Sequence, residues 1–158
     1  MMTNISGSYF LNMFIIKIIE SRKEDINKLQ DIFLETRRST FSWVDTSQFK
    51  LSDFEKETEG EYVLVAMIDE KVIGFISVWV ADNFIHHLYV DKSFQDQKVG
   101  TKLLNAVLDK FGLPVRLKCE IKNQKAVSFY RQKGFVEIEQ GHSEMGVYIL
   151  FELRKKLS

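Results

Sequence analysis

Leu88-Tyr89-Val90-Asp91-Lys92-Ser93-Phe94-Gln95-Asp96-Gln97-Lys98-Val99-Gly100-Thr101 decides the architecture. It runs from an apolar strand through a polar loop into the start of a helix. The first amides of a helix lack internal partners, and the helix dipole is positive there. Such a turn can hold a phosphate or pyrophosphate on backbone N–H groups. Gly100 lets a ligand approach closely, and Lys98 adds a positive charge. Many strand-to-helix loops share these features, so on its own the signal is weak.

Working downstream, Val99, Leu103, Leu104, Val107, Leu108 and Phe111 share one helical face, and Gly112-Leu113-Pro114 stops that helix. Val115 to Ile121 then alternates apolar and polar residues. Strand, helix, strand implies a parallel pair joined by a right-handed crossover. Upstream, Glu61–Ile68, Val72–Ala81 and Phe84–Val90 read as an antiparallel meander. The segment Asp69-Glu70-Lys71 is its first tight connection, and Asp82-Asn83 is the second.

Further out, Phe14–Ile19 reads as a first strand. Ser21-Arg22-Lys23-Glu24 fits a capping box ahead of an apolar stripe of Ile26, Leu29, Ile32 and Phe33. Phe49–Glu57 reads as a second helical segment. At the other end, Asn123 can cap a short helix closed by Gly134, and Phe135–Glu139 and Val147–Leu153 supply two last strands. The order β-α-α-β-β-β-α-β-α-β-β predicts an α/β domain with a mixed central sheet flanked by helices. Residues 14–158 form the single domain, 1–13 are an N-terminal extension, and Met13 is a candidate start.

Composition narrows the function. Lys+Arg and Asp+Glu both number 22, so there is none of the broad basic footprint of a nucleic-acid binder. The apolar stretch around Phe10 to Ile16 is too short to span a bilayer, so no membrane partner is expected. The lone Cys119 excludes an internal disulfide and fits a reducing, cytoplasmic setting. No Cys/His cluster has metal-ligand spacing, and strand alternation puts His86 and His87 on opposite faces. No metal site is therefore expected. No G-x-x-x-x-G-K-[ST] occurs, which removes a P-loop nucleotide binder.

At this point the sequence resembles a known family. Gln95-Asp96-Gln97-Lys98-Val99-Gly100 is similar to the acetyl-CoA loop of the GNAT N-acetyltransferases, Q/R-x-x-G-x-G/A. Asn123-Gln124-Lys125-Ala126-Val127-Ser128-Phe129-Tyr130-Arg131-Gln132-Lys133-Gly134-Phe135 resembles their second signature, N-x-x-A-x-x-F-Y-x-x-x-G-F. The two motifs stand in the right order with room for one helix and one strand between them. The element order resembles the GNAT fold from about residue 14 onward. The loop departs from the pattern at Lys98, where the family has glycine. A positive φ there is costly for lysine, while its ammonium can pair with phosphate.

The resemblance implies acetyl-CoA as acetyl donor and direct transfer to a primary amine on a small molecule, peptide or protein. Backbone groups of Leu88, Tyr89 and Val90 would bond the pantetheine arm. Gln95 opens the loop, and the amides of Asp96, Gln97, Lys98, Val99, Gly100 and Thr101 would cradle the pyrophosphate. Asn123 would cap its helix and contact the pantetheine. Tyr130 would protonate the leaving thiolate, and His86 is the candidate base, since Phe84–Val90 contains no glutamate. Taken without the motif, Tyr130 reads as a core aromatic. Phe41, Trp43, Phe49 and Phe54 either line an acceptor pocket or pack the first helices. The alternative function is a catalytically silent GNAT-like domain that binds CoA as a sensor or scaffold. Homodimers are common in the superfamily, so a homodimer is the weak expectation from analogy.

Overall fold

A computed structural model describes residues 15–156 of the 158-residue chain. The extension at 1–13 and the expected strand start at Phe14 lie outside these residues. The expected meander forms the centre of a seven-stranded sheet. Its strands are β1 (Lys17–Glu20), β2 (Tyr62–Ile68), β3 (Lys71–Trp79), β4 (Phe84–Val90), β5 (Val115–Glu120), β6 (Val136–Ser143) and β7 (Gly146–Leu153). Their spatial order is β1-β2-β3-β4-β5-β7-β6. The β4–β5 pair is parallel and every other neighbouring pair is antiparallel.

Both faces of the sheet are covered, which is why β2 and β3 are almost wholly apolar rather than alternating. On one face, Val63, Val65, Met67 and Phe75 pack with Leu29, Ile32 and Phe33 of α1 (Ile26–Thr40). On the other, Leu64, Ala66, Ile73 and Ile76 pack with Val99, Leu103, Leu104 and Val107 of α3 (Val99–Phe111). Strand alternation sends successive residues of β2 into the two different cores. The remaining helices are α2 (Asp53–Glu57) and α4 (Gln124–Gln132).

Asp69 and Glu70, at φ 48° and 65°, form the two-residue turn between β2 and β3. Positive φ at both central positions matches the twist of a hairpin. Gly74 is needed where β3 meets β4: a Cβ there would stand 2.9 Å from the Tyr89 carbonyl oxygen.

Two local expectations are corrected. The capping box is not made by Ser21 and Glu24. The Ser21 N–H still bonds the Val63 carbonyl, 2.9 Å away, so Ser21 extends the β1–β2 bonding by one step. The box forms one residue later, where the Asp25 carboxylate accepts from the Arg22 backbone N–H at 2.8 Å. The second helix is confined to Asp53–Glu57, because Phe49–Ser52 turn around the Arg37 guanidinium rather than propagating a helix.

Candidate active site

The β4–β5 pairing stops early. Only Phe84/Arg116 and Ile85/Leu117 are in register, and beyond them the strands part. The Asp91 N–H bonds Ile73 O at 2.7 Å, so by antiparallel alternation Tyr89 exchanges its bonds with Phe75. The backbone groups of Leu88 and Val90 therefore point into the gap. The expectation that Tyr89 also offers its backbone there is corrected, since β3 already uses it. Tyr89 still lines the cavity beside the gap, as do Leu88 and Val90.

On one side the gap opens into a cavity of about 420 Å³ that reaches the start of α3. Lys98 is the N-cap residue, with no side-chain cap. The Lys102 N–H bonds the Lys98 carbonyl at 3.1 Å, which leaves the amides of Val99, Gly100 and Thr101 without helical partners. Gln95 anchors the loop through Nε2 to the Val90 carbonyl at 3.2 Å. The Lys125 ammonium lies 3.2 Å from Gln95 Oε1 and 3.6 Å from Asp96 Oδ1. Gln97 is exposed in the same loop.

Lys98 adopts the left-handed conformation, φ 63° and ψ 20°. The backbone thus keeps the shape that glycine would supply. Left-handed backbone costs a side chain roughly 1–2 kcal/mol, against about 0.5–1 kcal/mol for glycine's extra chain entropy. Lys98→Gly should therefore raise Tm by about 2 °C, measured by scanning calorimetry without ligand. A lower Tm would mean that the lysine side chain stabilises the loop by more than the strain costs.

Asn123 caps α4, its Oδ1 accepting from the Ala126 N–H at 3.3 Å. Tyr130 is 8% exposed and packs against Phe129, Phe135 and Phe151. Burial pushes its phenol well above the ordinary tyrosine range, so the hydroxyl keeps its proton at neutral pH. Burial also pushes the Cys119 thiol up to about 12, leaving it a protonated core thiol.

Leu88, Tyr89, Asn123, Ala126 and Tyr130 also line a second cavity, of about 480 Å³, and so join the two. Its walls include Phe33, Phe41, Phe49, Glu57, Glu120 and Glu144. The open choice about the early aromatics thus divides. Phe41 and Phe49 line the cavity, while Phe54 belongs to the core. Trp43 donates from Nε1 to the Met145 carbonyl at 2.7 Å, joining this region to the β6–β7 hairpin. Burial raises the Glu120 carboxyl, the bond from Ser143 opposes it, and Oε2 has no partner among the described residues.

His86 and His87 are not on opposite faces. Ser77 pairs with His87 but Val78 pairs with Ile85, so His86 is the extra residue of a β-bulge. The bulge breaks the two-residue period and stacks the rings with centroids 3.9 Å apart. His86 Nδ1 lies 2.8 Å from Glu61 Oε2. A carboxylate only accepts, so Nδ1 donates to Glu61, and in the neutral imidazole Nε2 is the nitrogen with the lone pair. His87 is 7% exposed, with Nδ1 2.9 Å from Ser77 Oγ and Nε2 3.5 Å from Glu57 Oε1. Burial holds His87 below the ordinary histidine range. Burial alone would raise the Glu57 carboxyl, but His87 and Arg37 outweigh it and hold it low. Glu57 and Glu61 escape sequence reading because they lie far from the histidines along the chain.

The family model for the "Acetyltransferase (GNAT) family" matches residues 26–135. A paia N-acetyltransferase from Thermoplasma acidophilum, solved in complex with coenzyme A, superposes with a TM-score of 0.75 at 21% identity, covering 89% of this chain and 99% of that one. An N-acetyltransferase from Staphylococcus aureus Mu50 gives 0.73 at 16% identity, covering 87% and 100%. The yncA protein of Salmonella typhimurium, solved with its cofactor acetyl-CoA, gives 0.66 at 20% identity, covering 89% and 94%. Likeness at these identities establishes the fold.

Proposed function

The chain belongs to the GNAT acetyltransferase family, and on that footing we propose direct transfer of the acetyl group of acetyl-CoA to a primary amine, with Tyr130 as general acid and His86 as general base. The observation that carries the reading is the meeting of the two cavities at Tyr130, through the gap that β4 and β5 leave open. Donor and acceptor held in these two cavities can then meet at Tyr130, and holding both in place is itself a large part of such catalysis.

Acetyl-CoA supplies an acetyl group already activated as a thioester. The N–H and carbonyl of Leu88 and the N–H of Val90, whose carbonyl is held by Gln95, suit the amide-bearing pantetheine arm, and Asn123 borders it. The unpaired amides of Val99, Gly100 and Thr101, continuing the turn from Asp96 through Lys98, suit a pyrophosphate. His86 Nε2 takes the proton that the acceptor nitrogen loses as its new C–N bond forms. Tyr130 gives its proton to the sulfur as the C–S bond breaks, leaving CoA thiol and the amide. The acceptor cavity is of small-molecule size. Carboxylates of Glu57, Glu120 and Glu144 beside Phe41 and Phe49 suit a cationic amine, either free or at the end of a peptide or side chain.

The test is thiol release from acetyl-CoA across an amine panel, run with chelator present. His86→Ala should lower turnover on the best amine by roughly 10²-fold, and added imidazole should restore part of it. Full turnover in His86→Ala would remove histidine from the mechanism and leave proton removal to water.

A further inference from the structure

We propose that Glu57, His86 and His87 form a binding site for a divalent transition-metal ion of the zinc type, opening into the acceptor cavity. Their donor atoms lie within 4.8 Å of one another, and all three residues line that cavity. Bonds of about 2.0–2.2 Å to a shared ion draw the donors closer together than this, a movement that falls to the two exposed members, Glu57 and His86.

The far end of each donor is already held, the arrangement that orients ligands at a metal centre. His86 Nδ1 is bonded to Glu61, leaving Nε2. His87 Nδ1 is bonded to Ser77 Oγ, leaving Nε2. Glu57 Oε2 lies 3.6 Å from Arg37 Nη1, leaving Oε1, which sits 3.5 Å from His87 Nε2. A second carboxylate lies behind the two imidazoles. The Glu61 side chain is only 6% exposed, and its Oε1 has no hydrogen-bond partner among the described residues. Two carboxylates thus adjoin two imidazoles. Two imidazole donors with one carboxylate select zinc-type ions over magnesium or calcium. Three protein ligands also leave a coordination position open to the cavity. On the reading of His86 as base, a bound ion occupies the lone pair that transfer needs, so the metal inhibits the enzyme.

The experiment is calorimetric titration of the full, untagged, chelator-treated chain with zinc chloride, repeated with cobalt(II) to read its visible absorption. One ion per chain is expected, with a cobalt spectrum of a low-coordinate nitrogen and oxygen site. Because His87 is buried, the variants are Glu57→Gln and His86→Gln, whose melting curves without metal check the fold. Each should weaken zinc by at least about 10-fold, and Glu61→Gln by about 10-fold through the orientation of His86. No saturable binding, or binding unchanged in both ligand variants, overturns the site. Titration of the same samples with CoA reports on the cofactor site separately, so failure of the metal site leaves the acetyltransferase reading standing.

Discussion

Replacing Tyr130 by phenylalanine lowers turnover by roughly 10²–10⁴-fold and leaves CoA affinity nearly unchanged. The substitution removes one oxygen and keeps the ring that packs against Phe129, Phe135 and Phe151. The fold and the cofactor surface therefore persist. Tyr130 lines both cavities, and on the proposed mechanism the variant loses the proton donor that meets the leaving thiolate. A buried phenol whose pKa is raised keeps its proton at neutral pH, and on the proposed mechanism that proton goes to the thiolate as it forms. Steady-state kinetics gives turnover, and calorimetry with CoA gives binding. A fall in both would assign Tyr130 to cofactor binding, and a fall in neither would return it to the role of core aromatic.

Arg37→Ala destabilises the protein by about 3–5 kcal/mol, the cost typical of breaking one half of a buried ionic network. Arg37 is 6% exposed. Its guanidinium donates to the Phe33 carbonyl, the Lys50 carbonyl and Asp53 Oδ2, and it lies between the rings of Phe33 and Phe49, 3.9 and 4.4 Å from their centroids. Alanine leaves the Asp53 and Glu57 carboxylates without their cation and detaches the turn before α2 from α1. At about 2–4 °C per kcal/mol for a chain of this size, Tm falls by roughly 10 °C. Arg37→Lys recovers only part of this, because an ammonium cannot reproduce the planar fork. A loss under about 1 kcal/mol would mean that the turn is held by its aromatic packing alone.

Residues whose meaning is local were legible in the sequence. The stop of α3 at Gly112 and the cap of α4 at Asn123 follow from short-range chemistry, and the structure has both. The strand Phe84–Val90 has its expected ends. The bulge at His86 was not legible. No glycine marks it, and it exists because β3 and β4 fall out of step between Ser77 and Val78. That single inserted residue undoes the opposite-face reading of the histidines and brings Glu57 and Glu61 to them. The helix within the Phe49–Glu57 segment is shorter than its sequence suggests, because Phe49 stacks on Arg37, a partner remote in the chain. Lys98 shows the reverse case: the family's glycine is absent from the sequence, but the backbone there takes a positive φ that glycine adopts without strain.

Calorimetric titration of the purified chain with acetyl-CoA, and then with CoA, tests the central claim most directly. Saturable binding of one molecule per chain, weakened by added salt as a pyrophosphate on an exposed cradle requires, is the predicted result. No saturable binding up to millimolar acetyl-CoA would contradict it, and would mean that the gap between β4 and β5 does not serve as a cofactor site in this chain.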